Sequence, residues 1–166
     1  MKKILYDEKS ILDFKRYGIE IPAFKSRKTK TLEALLKDTK LEKTKDNWLI
    51  TENPYSILKE DLQRIHSDEY ISALFSGKLE EKLKEAFELI NPDGSLNRFD
   101  PEKAIEPLEN IFHKVLKMSS GTYFAARKAL ETGFCYFMGG GMHHGHRNFG
   151  HGFCPTNDIM IAAARI

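Results

Sequence analysis

FCYFMGGGMHHGHRNFGHGFCPTND, residues 134–158, decides how the rest of the chain is read. Its first five residues are apolar or aromatic without alternation, the pattern of a strand buried on both faces. Gly139, Gly140 and Gly141 follow, able to take positive φ and to let backbone or a ligand approach closely. In α/β folds, ligands bind beyond the carboxyl ends of parallel strands, so the residues after Met138 stand where a site is expected. Four of the chain's six histidines lie there within nine positions, and Cys154 closes the run.

Three readings of these histidines are open. In the first, His143 and His144 are an acid/base pair. Adjacent residues of an extended backbone point to opposite sides and do not readily chelate one ion. Each can instead be oriented by its own carboxylate, giving one neutral base and one imidazolium for proton transfer near neutral pH. In the second, His144-x-His146 and His151-x-x-Cys154 form a tetrahedral metal site. The glycine-rich setting and the lack of another Cys/His group elsewhere weigh against it. In the third, the stretch is a loop without chemistry.

The remaining sequence bounds the answer. A chain of 166 residues with 41% hydrophobic side chains makes one domain with a core. Twenty-six Lys and Arg nearly offset 24 Asp and Glu, for a net charge of +2, so the concentrated basic face of a nucleic-acid binder is missing. The basic run at residues 25–30 reads as a solvated helix entry. Two cysteines make no disulfide framework and fit a reducing, cytoplasmic setting. No signal-peptide core and no bilayer-length apolar run is present, so no membrane association is expected.

Strands are expected at 3–7, 48–51 and 134–138. Helices are expected at 31–45, in two short pieces broken near residues 66–68 with Ser67 capping the second, at 78–89, and at 108–131. The last of these carries the small residues Ser119, Ser120, Gly121 and Thr122, with Gly133 at its C-cap. A final helix opens at Asn157-Asp158. Strands separated by helices imply a parallel sheet with crossover connections. Cys135 and Cys154 read as small buried hydrophobes, His66 as a helix-boundary residue, His113 as a surface residue, and His146 and His151 as loop residues.

The segment GGGMHHGHRNFGHGFCPTNDIMIAA resembles the central signature of the histone deacetylase family, which includes acetoin-utilisation and acetylpolyamine deacetylases. That signature is a glycine turn, an apolar residue, His-His, seven intervening residues, Gly-Phe-Cys, two variable positions and Asn-Asp. HSDEYI at 66–71, the spacing of Pro22 and Arg27, and Gly121-Thr122 extend the likeness. The resemblance implies a three-layer α/β fold of the arginase/deacetylase type, and a zinc-dependent (or other divalent-metal) hydrolase that removes acetyl groups from acetylated lysine or acetylated amines.

Carried over, His144 is the principal general base and acid and His143 its electrostatic partner. Gly141, Gly152 and Phe153 contact substrate, Phe153 as a channel wall and Gly152 through its carbonyl. Arg27 and Cys154 line the inner channel, Cys154 packing behind the site. The family's rim aspartate falls at Ile105 in a gapless match, or at a shifted Asp100. Its metal ligands, an Asp-x-His and a later Asp, have no counterpart among the 166 residues. Residues 1–166 are thus expected to be the N-terminal portion of one deacetylase domain, ending inside the helix that begins near 157. Such a portion is expected to pair with a complementary C-terminal half, to oligomerise through an uncovered sheet edge, or to persist as an inactive interaction module.

Overall fold

A computed structural model describes residues 2–21 and 26–166 of the chain. Pro22 lies outside the described residues. Three short strands, β1 (Lys3–Leu5), β2 (Leu49–Ile50) and β3 (Cys135–Phe137), form one sheet in the order β2-β1-β3. All pairings are parallel, with Ile4 opposite both Leu49 and Tyr136. Parallel neighbours need long crossovers, and helices supply them. Between β1 and β2 run α1 (Ser26–Leu36), α2 (Thr39–Lys43) and α3 (Lys45–Trp48). Between β2 and β3 run α4 (Lys59–Gln63), α5 (Asp68–Leu74), α6 (Leu79–Ala86) and α7 (Ile111–Thr132), and α8 (Asp158–Arg165) follows the histidine segment. The α/β class with a parallel sheet is the expected one.

Helix α7 is the backbone of the packing. Its 22 residues bury Ile111, Phe112, Val115, Met118, Ser119 and Gly121 on one side. A Cβ added at Gly121 would sit 2.3 Å from Cζ of Phe137, and one at Gly139 would sit 2.5 Å from the same atom. The Phe137 ring therefore fills a notch that only glycine leaves open, which sets how closely α7 lies on β3. The helix ends where expected, with Gly133 at φ +80° and its N–H donated to the Ala129 carbonyl. Leu62, Ile71, Leu74, Leu83, Phe87, Leu89, Ile111, Val115 and Ile161 form the interior of the helical side, each at most 1% exposed.

Two expectations are corrected. The segment 31–45 is not one helix. The helix begins at Ser26 and breaks at Asp38, whose Oδ1 accepts the amides of Lys40 and Leu41 and so starts α2. Strand β3 is not buried on both faces, since Tyr136 is 56% exposed. In the sheet formed by the described residues it is an outer strand, and α7 packs against it. By contrast, Ser67 caps α5 as the sequence implies, its hydroxyl accepting the Tyr70 amide. Among the described residues no helix is long and apolar enough to cross a membrane.

Candidate active site

Beyond β3 the chain turns sharply. Gly140 has φ +66° and Gly141 φ +85°. A Cβ at Gly140 would also lie 2.3 Å from Thr122 Oγ1 and 2.4 Å from Asp158 Oδ2, so both conformation and space require glycine there. Asp158, wholly buried at the start of α8, ties this turn down. Its Oδ1 accepts the Met142 amide (2.6 Å), and its Oδ2 accepts the Gly141 amide (2.9 Å) and the Thr122 hydroxyl (2.5 Å). A carboxylate in the first turn of a helix also gains from the helix dipole.

The adjacent residue, Asn157, holds the next stretch. Its Oδ1 accepts the Met160 amide to cap α8, while Nδ2 donates to the carbonyls of Gly145 (3.1 Å) and His143 (3.4 Å). Those two carbonyls flank His144. His143 and His144 consequently sit in a turn, and their rings lie side by side with centroids 4.1 Å apart. The extended backbone with diverging side chains is therefore corrected: the clamps at Asp158 and Asn157 curl the segment. The His143 ring is oriented by a backbone carbonyl, its Nδ1 lying 2.8 Å from the oxygen of Gly141. That carbonyl can only accept, so Nδ1 carries the proton.

His144 is exposed and rests against Gly152. A Cβ at Gly152 (φ +54°) would come within 3.0 Å of the His144 ring, so glycine here lets imidazole and backbone touch. Phe153 is held at φ +66°, a conformation disfavoured for a bulky residue, with its amide on the Ala86 carbonyl and its ring packed toward Phe87. His144 thus lies on Gly152, with Phe153 next in the chain, and His143 on Gly141 in this segment. Cys154 is buried, its Sγ donating to the Gly152 carbonyl at 3.4 Å. Burial pushes its thiol up, which keeps it protonated and unsuited to nucleophilic attack.

Arg27 lines a cleft of about 380 Å³ with Lys28, Phe14, Met138, Gly139 and Gly140, the last two from the glycine turn. Ile105 is exposed, and Asp100 is spent locally, accepting the Glu102 amide and pairing with Lys103.

Three site residues have roles the sequence reading did not give them. Glu88, at φ +56° just after α6, accepts the Gly152 amide (3.2 Å) and pairs with His151 Nδ1 (3.3 Å). Nothing local in the sequence marks it. Asp158 and His66 do lie inside recognisable motifs. His66 is not merely a helix-boundary residue: it is 1% exposed and bonded through both ring nitrogens, Nδ1 to the His146 carbonyl (2.7 Å) and Nε2 to the Asn157 amide (3.1 Å). His146 stacks on Phe149 at the loop surface. Among the described residues no group of three or more His, Cys, Asp or Glu side chains is placed to hold a metal ion. The zinc implied by the resemblance therefore finds no ligand set here.

The paired-histidine turn stands just beyond the carboxyl end of β3, where parallel α/β sheets bind ligands. The histone deacetylase domain model matches residues 22–166. Histone deacetylase 2 of Arabidopsis thaliana is 29% identical over 108 residues, covering 65% of this chain and 25% of that protein. An uncharacterized protein of Picosynechococcus is 30% identical over 105 residues, covering 63% and 30%, and histone deacetylase clr6 of Schizosaccharomyces pombe 25% over 122 residues, covering 68% and 27%. The chain belongs to the histone deacetylase domain family, and the matches span between 25% and 30% of these relatives' own length.

Proposed function

We propose that this chain supplies the proton-handling side of a deacetylase, an amidohydrolase acting on acetylated lysine or acetylated amines. The observation that carries the reading is the pair His143–His144, held side by side, with His144 packed on Gly152 next to Phe153 at positive φ. As water attacks the acyl carbon, His144 takes the proton that the water loses. When the carbon–nitrogen bond breaks, His144 returns that proton to the amine nitrogen, leaving a carboxylic acid and a free amine. His143 keeps its Nδ1 proton on the Gly141 carbonyl and steadies the charge that His144 acquires. Phe153 and Gly152 hold the acylated stem against the pair.

Zinc chemistry of the family kind would need ligands from elsewhere in the domain. The two unpaired cysteines support a reducing compartment.

The test is acetate release from an acetyl-lysine peptide and an N-acetylated diamine, with Zn²⁺ added, by the product of the full reading frame. His144→Ala should lower kcat by at least ~10²-fold, the scale of losing a general acid/base. Turnover that survives the substitution would refute the role, and a wild type without turnover would leave an interaction module in its place.

A further inference from the structure

The motif HSDEYI contributes nothing to the chemistry above, yet it touches the histidine loop at three points. His66 bridges the His146 carbonyl and the Asn157 amide. The Ser67 amide donates to the Arg147 carbonyl at 2.9 Å. The Tyr70 hydroxyl, buried on α5, donates to the Pro155 carbonyl at 2.8 Å. We propose that His66, supported by Ser67 and Tyr70, is the positioning residue of the His143–His144 pair, acting on it through Asn157 and the His146 carbonyl. The inference rests on the reading of that pair as the proton carriers.

The path is short and continuous. Asn157 grips the carbonyls on both sides of His144 with one side-chain amide, and His66 holds Asn157 by its backbone N–H. Through Nδ1, His66 also holds the carbonyl two residues beyond His144. The backbone of His144 is therefore fixed from both directions by one imidazole. A backbone N–H can only donate, so Nε2 of His66 must be the bare nitrogen and Nδ1 the protonated one. This single neutral tautomer satisfies both contacts. A second proton would place N–H against N–H at Asn157 and break the link.

The groups around His66 do not supply a compensating charge. Tyr70, with ring centroids 5.8 Å apart, is kept protonated by burial. On the neighbouring elements Asp61 of α4 pairs with Arg165, Arg147 offers its carbonyl to Ser67, and Asp158 of α8 is taken up by Gly141, Met142 and Thr122. Water has no access to the ring to replace a lost partner.

The experiment is NMR of the ¹⁵N-labelled chain and its His66→Gln variant. The ring signals of His143 and His144 and the amide of Asn157 should move by more than a linewidth, while the amides of Lys3–Leu5 in β1 stay in place. On lowering the pH, the wild-type Asn157 amide should show a titration step that the variant lacks. A folded His66→Gln protein with unmoved His143 and His144 signals overturns the proposal, even if its Tm has fallen, because a merely structural residue would do that. If His66→Gln does not fold, Tyr70→Phe removes only the hydroxyl bonded to Pro155. Shifted His144 signals then support the proposal, and unshifted ones overturn it. Acetate release is not read here. A wild type without turnover sinks only the functional reading, whereas unmoved ring signals sink only this one.

Discussion

Replacing Asp158 by Asn keeps the shape of the side chain and removes its charge. The carboxylate accepts three hydrogen bonds in a fully buried position, from Met142, Gly141 and Thr122. An amide has one oxygen, so whichever way it is turned its NH₂ faces a backbone N–H, of Gly141 or of Met142. Thr122 can adapt, because its hydroxyl already has the Met118 carbonyl as a second acceptor at 3.3 Å. One bond to a charged acceptor is thus lost outright, at about 1.5–3 kcal/mol. The remaining two weaken toward neutral strength, roughly halving each, and the helix-terminus contribution of about 0.3–1 kcal/mol disappears.

The sum is about 3–7 kcal/mol, a large part of the roughly 5–15 kcal/mol typical of a domain. At about 2–4 °C per kcal/mol for a chain of this size, Tm should fall by roughly 10–20 °C. Circular-dichroism melts read the Tm, and hydrogen exchange at Gly141 and Met142 should quicken in the same variant. A Tm within about 2 °C of wild type, with both amides still protected, would refute the claim that this carboxylate holds the glycine turn.

Gly121→Ala should destabilise despite alanine's helix preference of about 1 kcal/mol, because its methyl would sit 2.3 Å from Phe137 and overpacking costs about 1–3 kcal/mol. Phe137→Leu in the same chain should recover the loss in urea unfolding, and a stabilised single variant would contradict the packing of α7 on β3. Burial pushes the His66 imidazole below its ordinary value of 6.5. The stability owed to its neutral form is therefore fully present above pH 6.5, and it is lost as pH falls through the lowered folded value. Urea midpoints of wild type should drop from pH 7.5 toward acid more steeply than those of His66→Gln, and parallel curves would count against this assignment.

The elements legible in the sequence are those specified locally. Ser67 before Asp68 and Glu69 is an N-cap whatever surrounds it, and Gly133 after a long apolar-striped segment is a C-cap. The three strands appear as short apolar runs between helices, which is enough to require parallel pairing. The pair His143–His144 and its Gly-Phe-Cys partner are legible as a motif with fixed spacing. The exposure of β3 is not, because an apolar run does not say whether its strand lies at the centre or the edge of a sheet. Nor is the break at Asp38, where a side-chain cap competes with an otherwise continuous helical pattern.

The geometry of the site belongs to tertiary structure for a similar reason. Two adjacent histidines read as diverging side chains, yet they lie side by side because Asp158, 17 residues beyond Gly141, and Asn157, 14 beyond His143, curl the intervening backbone. His66 reads as a helix end, and it becomes part of the site only when the fold brings it to Asn157, 91 residues away. Glu88 has no local signal at all, and its place beside His151 and Gly152 follows from where α6 stops. Residue identity and spacing determined that two histidines follow a glycine turn and precede Gly-Phe-Cys. Where each proton sits was decided by long-range hydrogen bonds, since a ring nitrogen's role depends on the donor or acceptor the fold sets against it.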